Sequence, residues 1–425
     1  MGLPEIIEIV PSKCPVSASI TVPGSKSITN RALVLAALAD GKTVLKGALW
    51  SEDTQVMVDC LKTLGITVEV ALDPVESGNR TITVSGQAGR IPDGGPKAAP
   101  KELFVGNAGT AARFLTALVC LGRGSYRLSG IPRMHERPQA ALLSALRELG
   151  YEIDSENDRL PAVVHATGPR EGRCCVDIAD SSQFASALLL CAGATAWRVE
   201  IAGNSADNAP YVEMTKSLIE CFPKNGGTFQ IEPDASGGSY FWGARWLLQQ
   251  PIRVNHWPTS GWQIDARFAD IAQESGDRLP DMSRETDLGD AIMTAIALAP
   301  FADTPVVFSD LGRLRVQECE RVAALRTELQ RCGAQVTEAG DSLLVEPTPD
   351  LHAAEIETYN DHRMAMCFAV LGLKTPGIRI KNPACVKKTF PNFFQKLAAD
   401  APTGLGIEIR DHDGCALNHD ELFAG

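Results

Sequence analysis

Six stretches of the chain are rich in small apolar residues, each starting from a polar or glycine-rich turn, and several are apolar almost all round. They begin near Ser27 (SITNRALVLAALADG), Gly109 (GTAARFLTALVCLGRG), Ser181 (SSQFASALLLCAGA), Ala235 (ASGGSYFWGARWLLQ), Leu288 (LGDAIMTAIALAP) and Asp361 (DHRMAMCFAVLGLKT). A helix without a polar face is buried on every side, so these predict six core helices. A second set alternates with them and is amphipathic at the helical period: DTQVMVDCLKTLG from Asp53, RPQAALLSALRELG from Arg137, YVEMTKSLIECF from Tyr211 and ERVAALRTELQRCG from Glu320. RFADIAQESG from Arg267 and NFFQKLAAD from Asn392 are shortened members. Gly65, Gly150 and Gly333 stand just before β-like runs and fit the left-handed position that closes a helix. Two helix types alternating with short strands predict an α/β fold of repeated βαβ-type units.

The spacing adds a detail. Successive core helices start about 70–80 residues apart in most of the chain, but only about 55 apart between Ser181, Ala235 and Leu288. Two middle units are therefore expected to lack about 20 residues each, roughly one β-hairpin.

Length and charge narrow the function. A chain of 425 residues, 44% apolar and 22% charged, is expected to form two or three globular domains. Its net charge of −12 argues against nucleic acid or an anionic membrane as partner, but says nothing of small anions held in a local cationic site. The twelve cysteines form no C-x-x-C pair, and Cys60, Cys120, Cys191 and Cys367 fall inside apolar helical stretches. They predict buried free thiols in a reducing compartment. No signal peptide and no run of about 18 apolar residues are seen, so the expected location is the cytoplasm.

The chemistry gathers at the starts of the core helices, where unpaired backbone N–H groups favour phosphates and carboxylates. Lys26, Ser27 and Arg31 lie in PGSKSITNR, with Ser27 and Arg31 on one helix face. Asn107, Gly109 and Thr110 lie in GNAGTAAR, and Ser181, Ser182 and Gln183 open the third core helix. Further cations cluster in Arg133-Met134-His135-Glu136-Arg137, read as a proline-bounded loop, and in Arg315–Arg321, Asp361-His362-Arg363 and Lys387-Lys388. Each alone is equally a helix cap or a solvated ion pair. Asp290, at the polar start of GDAIMT, is either a helix-dipole cap or a catalytic base. No P-loop, H-E-x-x-H, G-x-S-x-G or dinucleotide fingerprint is present. The residues by themselves indicate an α/β enzyme handling one or two anionic, phosphorylated small molecules.

Taken together, PGSKSITNRALVLAALA, GNAGTAARFLTAL, PRMHERP, DSSQFASALLL, APYVEMT, GDAIMT, LRVQECERV, YNDHRMAMCFA and KKTFPNFF occur in the order seen in the EPSP synthases (3-phosphoshikimate 1-carboxyvinyltransferases) of the enolpyruvyl transferase family. The resemblance runs from about Val22 to Phe394. It implies a two-domain inside-out α/β barrel, each domain a threefold repeat of βαβαββ units, with two units shortened. The domains would be 24–234, and 1–23 plus 235–425, with the active site in the cleft between them. It implies transfer of the carboxyvinyl group of phosphoenolpyruvate to the 5-hydroxyl of shikimate-3-phosphate, without metal or organic cofactor, by a monomer.

By the same resemblance, Lys26, Ser27, Arg31, Ser181, Ser182, Gln183, Asn208, Tyr211, Asp290, Arg313 and Gln317 contact shikimate-3-phosphate. Lys26, Asn107, Gly109, Thr110, Arg133, Gln183, Arg321, His362, Arg363 and Lys388 hold phosphoenolpyruvate. Asp290 corresponds to the proton acceptor from the 5-hydroxyl and Glu318 to the proton donor, with Lys26 assisting. The chain departs from the family pattern at three of these positions: Gln317 where lysine is usual, Asn208 for serine and Arg313 for asparagine. Phe114 replaces a frequent proline behind the phosphoenolpyruvate set. The departures leave open a carboxyvinyl transferase for a related phosphorylated or cyclic alcohol, or a catalytically weak ligand-binding relative. Gln317→Lys then raises turnover if glutamine is only a lost charge, and does not if the site is built around glutamine.

Overall fold

The computed structural model describes the chain apart from positions 1, 12–14, 204–208, 275, 277, 349 and 425. It divides into two compact units, Gly24–Glu232 and Met1–Pro23 with Pro233–Gly425.

The first unit carries core helices Lys26–Leu38, Gly109–Leu118 and Ser182–Thr195, and outer helices Glu52–Leu64, Ala140–Glu148 and Ala209–Cys221. In the second unit the core helices are Ala235–Leu248, Ile292–Leu298 and His362–Gly372; the outer ones are Phe268–Glu274, Arg321–Arg331 and Phe393–Ala398. All twelve match the hydrophobic pattern. Every residue of Gly109–Leu118 and of His362–Gly372 is buried, as expected of stretches without a polar face. Gly65, Gly150 and Gly333 adopt φ of 96°, 85° and 93°, the left-handed turn that frees the chain to enter the next strand.

Two sequence expectations shift. The Pro132–Glu136 stretch is one short helix rather than a loop, because Pro132 supplies the fixed φ suited to a first helical turn. The helix expected from Leu288 begins only at Ile292. Ser283 and Asp287 first close a turn, in which the Ser283 carbonyl accepts from the Asp287 and Leu288 amides.

Four sheets share one pattern, a parallel pair extended by two antiparallel strands. In the first unit they are Gly227–Gln230/Lys42–Leu49/Asn79–Ser85/Val68–Leu72 and Lys101–Phe104/Arg123–Ser129/Ala162–Thr167/Glu152–Ser155. In the second they are Met282–Ser283/Val306–Ser309/Ser342–Val345/Val336–Ala339 and Ala354–Ile356/Ile378–Lys381/Ile6–Ile9/Ile409–Asp411. Two further sheets, Gly172–Asp177/Trp197–Ala202 and Ala18–Ile20/Ile252–Val254, consist of the parallel pair alone. They lie where the core helices are closely spaced.

A parallel pair needs a crossover, and a core helix supplies it in four of the six sheets. In the other two, the strand before the helix belongs to a distant part of the chain. Ala18–Ile20 pairs with Ile252–Val254, and Gly227–Gln230 with Lys42–Leu49. The discontinuous unit thus completes a sheet across the whole of the other unit's sequence, and the Gly24–Glu232 unit pairs its last strand with its first. Gly24, where the chain first passes from one unit to the other, tolerates no side chain: a Cβ there would sit 1.9 Å from the Gly47 carbonyl oxygen. No described helix is long and apolar enough to cross a membrane. Every described cysteine is a free thiol, and burial pushes the Cys60 and Cys367 thiols up to about 12, so both stay protonated.

Candidate active site

In the first unit the starts of the three core helices carry the expected residues. The Lys26 ammonium lies 3.2 Å from the buried Asp53 carboxylate, which comes from the adjoining outer helix. Arg31 is 2% exposed. Its guanidinium donates to Thr215 Oγ1 (2.7 Å), the Ser27 carbonyl (3.0 Å), Ser186 Oγ (3.1 Å) and the Tyr211 carbonyl (3.5 Å). It also stacks over Phe114, 5.3 Å from the ring centroid. All these acceptors are neutral. Burial therefore lowers the Arg31 pKa to about 10, with only the Tyr211 phenol opposing the fall. A buried cation surrounded by dipoles is a favourable neighbour for an anion. Phe114 supplies a π-face to that cation, which the more usual proline could not.

Around the second core helix, Gly109 is sterically required. A Cβ there would sit 2.4 Å from Arg113 Nη1 and 2.8 Å from Arg137 Nη2. Arg113 escaped the sequence reading, and Arg137 was read there only as part of a cation cluster, with no role assigned. Arg113 donates to the Pro138 carbonyl (2.8 Å) and Arg137 to the Asn107 carbonyl (3.1 Å), so the Pro132–Glu136 helix is drawn to this helix start. Arg133, on the short helix, pairs with Glu136 at 2.7 Å and is half exposed. Gln183 Nε2 donates to Thr110 Oγ1 at 3.3 Å, linking the second and third core helices. Ser181 caps its helix, accepting from the Gln183 amide (3.3 Å), while Ser182 is buried on the first turn. Tyr211 is half buried on its helix, and Asn208 lies outside the described residues.

The second unit holds a denser cluster. Asp290 caps no helix. The amide of Ala291, which precedes the Ile292–Leu298 helix, donates instead to Asp265 at 2.8 Å. The start of that helix accordingly has no side-chain cap hydrogen bond from Asp290. Its carboxylate faces Arg284 Nη2 (2.9 Å), Arg363 Nη2 (3.3 Å) and Arg321 Nη1 (3.7 Å). Burial disfavours the charge, but the Arg363, Arg284 and Arg321 guanidiniums outweigh it and hold the carboxyl far below the usual carboxylate range. Asp265, buried without an ion pair and beside the Asp290 charge, is pushed up to about 6.

Arg321, 1% exposed, organises the rest. It donates to Asp361 Oδ2 through Nε (2.7 Å) and to Asp361 Oδ1 through Nη2 (3.2 Å), pairs with Glu318 Oε2 (2.8 Å), and donates to Gln317 Oε1. These carboxylates raise its pKa despite the burial that opposes them. Asp361 also caps the His362–Gly372 helix by accepting from the Arg363 amide (2.9 Å). Lys388 reaches Glu318 Oε1 at 3.5 Å, so Glu318 lies between two cations. His362, 1% exposed, has Nδ1 3.6 Å from Asp361 Oδ1. Arg363 donates from Nη1 to Ser236 Oγ (2.5 Å) and Tyr240 Oη (3.5 Å). Arg313 is half buried on the turn Leu311–Val316. Arg315 takes the ordinary structural role instead, bonded to Glu320 (2.6 Å), Glu338 (2.7 Å) and Asp341 (3.0 Å).

Gln317 sits between the two proton-transfer candidates, donating to Asp290 Oδ1 at 3.4 Å and accepting from Arg321. A lysine could not accept, and would set an ammonium against the guanidinium. Gln317→Lys is therefore expected to lower kcat by about tenfold, the scale of one lost charge-assisted hydrogen bond of ~1.5–3 kcal/mol. Steady-state phosphate release measures this; a severalfold gain would mean glutamine is only a missing charge.

Such a cluster, with buried arginines gathered around carboxylates at core-helix starts of an α/β fold, is the kind of arrangement an enzyme of small anions requires. The chain belongs to the EPSP synthase (3-phosphoshikimate 1-carboxyvinyltransferase) family, whose model matches residues 10–225 and 218–397. It is 38% identical to the 3-phosphoshikimate 1-carboxyvinyltransferase of Nostoc punctiforme over 92% of this chain and 98% of that one. It is 39% identical to that of Opitutus terrae, over 94% and 98%. In fold it is similar to EPSP synthase from Acinetobacter baumannii, with a TM-score of 0.74 at 21% identity, covering 96% of this chain and 100% of that one. The enolpyruvyl transferase NikO from Streptomyces tendae matches with a TM-score of 0.67 at 16% identity, over 97% and 100%.

Proposed function

We propose that the chain transfers the carboxyvinyl group of phosphoenolpyruvate to the 5-hydroxyl of shikimate-3-phosphate, releasing phosphate. The observation that carries this reading is Asp290: a carboxylate kept ionised by three arginines, capping nothing, with Glu318 held beside it through Arg321. In the addition, the 5-hydroxyl oxygen bonds to C2 of phosphoenolpyruvate while its proton passes to Asp290. The C2=C3 π bond breaks and C3 takes a proton from Glu318. In the elimination, the Glu318 carboxylate left by the first step takes a proton back from C3, the double bond re-forms and the C2–O bond breaks with its electron pair leaving on phosphate. Two carboxyl groups act as base and acid only if their surroundings set opposite protonation states. Asp290 meets three guanidiniums, whereas Glu318 meets the Lys388 ammonium and one guanidinium, Arg321, which also serves Asp361 and Asp290.

Lys26, Ser27, Arg31, Ser181, Ser182, Gln183 and Tyr211 bind shikimate-3-phosphate, with Asp290, Arg313 and Gln317; Asn208 joins them by its motif alone. Lys26, Asn107, Gly109, Thr110, Arg133, Gln183, Arg321, His362, Arg363 and Lys388 receive phosphoenolpyruvate. The cations offset the negative charge of both reactants and fix their register, where most of the rate gain of such a reaction arises. Both units thus serve one reaction. The six sheets are read as copies of one βαβαββ unit, three to each unit of the chain, arranged as an inside-out barrel, with the two-stranded sheets as copies that lost their antiparallel pair. Free thiols and the absence of a membrane-crossing helix among the described residues suit the cytoplasm.

Lys26→Met tests the contribution of the first unit. It removes the ammonium that neutralises Asp53 and approaches both substrates. KM for each is expected to rise about 10–100-fold, from ~1.5–3 kcal/mol of lost charge-assisted contact. KM values within threefold of the unaltered enzyme would take Lys26 out of both binding sets.

A further inference from the structure

We propose that Arg284 is a positioning residue for the transfer: it keeps Asp290 ionised and aimed after Arg321 and Arg363 have been drawn to the anionic groups of phosphoenolpyruvate. The inference rests on the reading of Asp290 as proton acceptor given above. Of the three guanidiniums on Asp290, Arg284 is the nearest, at 2.9 Å, and it is 4% exposed. It stands on the turn that precedes Asp290, where the Ser283 amide donates to Asp287 Oδ2 at 2.8 Å and fixes the turn's shape. Arg321 and Arg363 instead sit in the motifs assigned to phosphoenolpyruvate.

A carboxylate shared by three guanidiniums is a feeble base for an alcohol proton. When the phosphate and carboxylate of the incoming substrate engage Arg321 and Arg363, that hold weakens and Asp290 becomes more basic in the complex that reacts. Losing all three partners would overshoot. Asp265, close by and without an ion pair, shows the outcome: burial and the neighbouring charge push it up to about 6. Arg284 prevents this for Asp290. Asp265 faces Asp290 directly as a second carboxyl; the other groups act at one remove: Asp265 and Asp234 on Arg363, Glu318 and Asp361 on Arg321, Lys388 on Glu318 and His362 beside Asp361. Gln317 and Tyr240 contribute neutral contacts.

The test is the pH dependence of kcat and of kcat/KM for phosphoenolpyruvate, at saturating shikimate-3-phosphate, in the unaltered enzyme, Arg284→Gln and Arg284→Lys. Removing the charge raises the pKa of the base, so the acid limb of kcat should move up by about one pH unit or more in Arg284→Gln. The acid limb of kcat/KM should move less, because it reports the enzyme before phosphoenolpyruvate binds, when Arg321 and Arg363 still face Asp290. Lysine keeps the charge and should restore the limb of kcat. An unmoved kcat limb, equal shifts in both profiles, or no rescue by lysine would overturn the proposal.

If Arg284→Gln does not fold, Arg284→Lys decides alone. Its limb should stay in place while the plateau of kcat falls about tenfold for want of the planar fork; a moved limb or an unchanged plateau contradicts the assignment. Absence of shikimate-3-phosphate-dependent phosphate release from the unaltered enzyme would instead refute the underlying reaction.

Discussion

Asp290→Asn lowers kcat about 10²–10⁴-fold at neutral pH, the range that a positioned base contributes to a proton transfer. Asparagine has nearly the same shape, and its carbonyl oxygen can still accept from Arg284, so the surrounding side chains keep their places. What is lost is the capacity to take the 5-hydroxyl proton. Binding of shikimate-3-phosphate, measured by titration calorimetry, should change far less than turnover, since the 5-hydroxyl proposed to meet Asp290 is neutral. Turnover within threefold of the unaltered enzyme would remove Asp290 from the mechanism. A parallel loss of binding and turnover would assign it to holding substrate instead.

Arg321→Met carries the largest expected cost in stability. The side chain is 1% exposed and serves Asp361, Glu318, Gln317 and Asp290 together. Methionine fills much of the volume but leaves the fully buried Asp361 without its guanidinium, facing the Arg363 amide, the Cys319 thiol and His362 Nδ1. Breaking a buried pair from one side costs about 3–5 kcal/mol because the remaining charge is stranded. Urea unfolding should show a loss of that size, and the variant should be inactive even where it is folded. A second change, Asp361→Asn, should recover part of the stability without activity, since the stranded charge is then gone. An unaltered unfolding midpoint in Arg321→Met would mean that the ion pairs are not maintained in solution.

The elements that the sequence made legible are those written in local pattern. All six core helices were visible in their apolar runs, and Gly65, Gly150 and Gly333 marked helix ends through a requirement that glycine meets best. Strand pairing was not legible. Ala18–Ile20 meets Ile252–Val254 across more than half the chain, and three-residue strands carry too little alternation to declare a partner. The site was legible as far as its cations stood in motifs. Arg284 was missed because it lies on an irregular turn, and its link to Asp290 depends on how that turn folds back. Asp361 and Asp265 were missed as organisers because their decisive partners, Arg321 and the Ala291 amide, are 40 and 26 residues away. The ambiguity of Asp290 was likewise physical. A carboxylate ahead of an apolar helix reads as a cap until another group, here Asp265, is seen to take the amide.

The most direct test of the whole account is phosphate release from phosphoenolpyruvate by the purified protein, with and without shikimate-3-phosphate. Release should depend strictly on shikimate-3-phosphate, and NMR of the product should show the carboxyvinyl ether on the 5-oxygen, one per phosphate freed. Binding of both compounds without release, or release that ignores shikimate-3-phosphate, would contradict it.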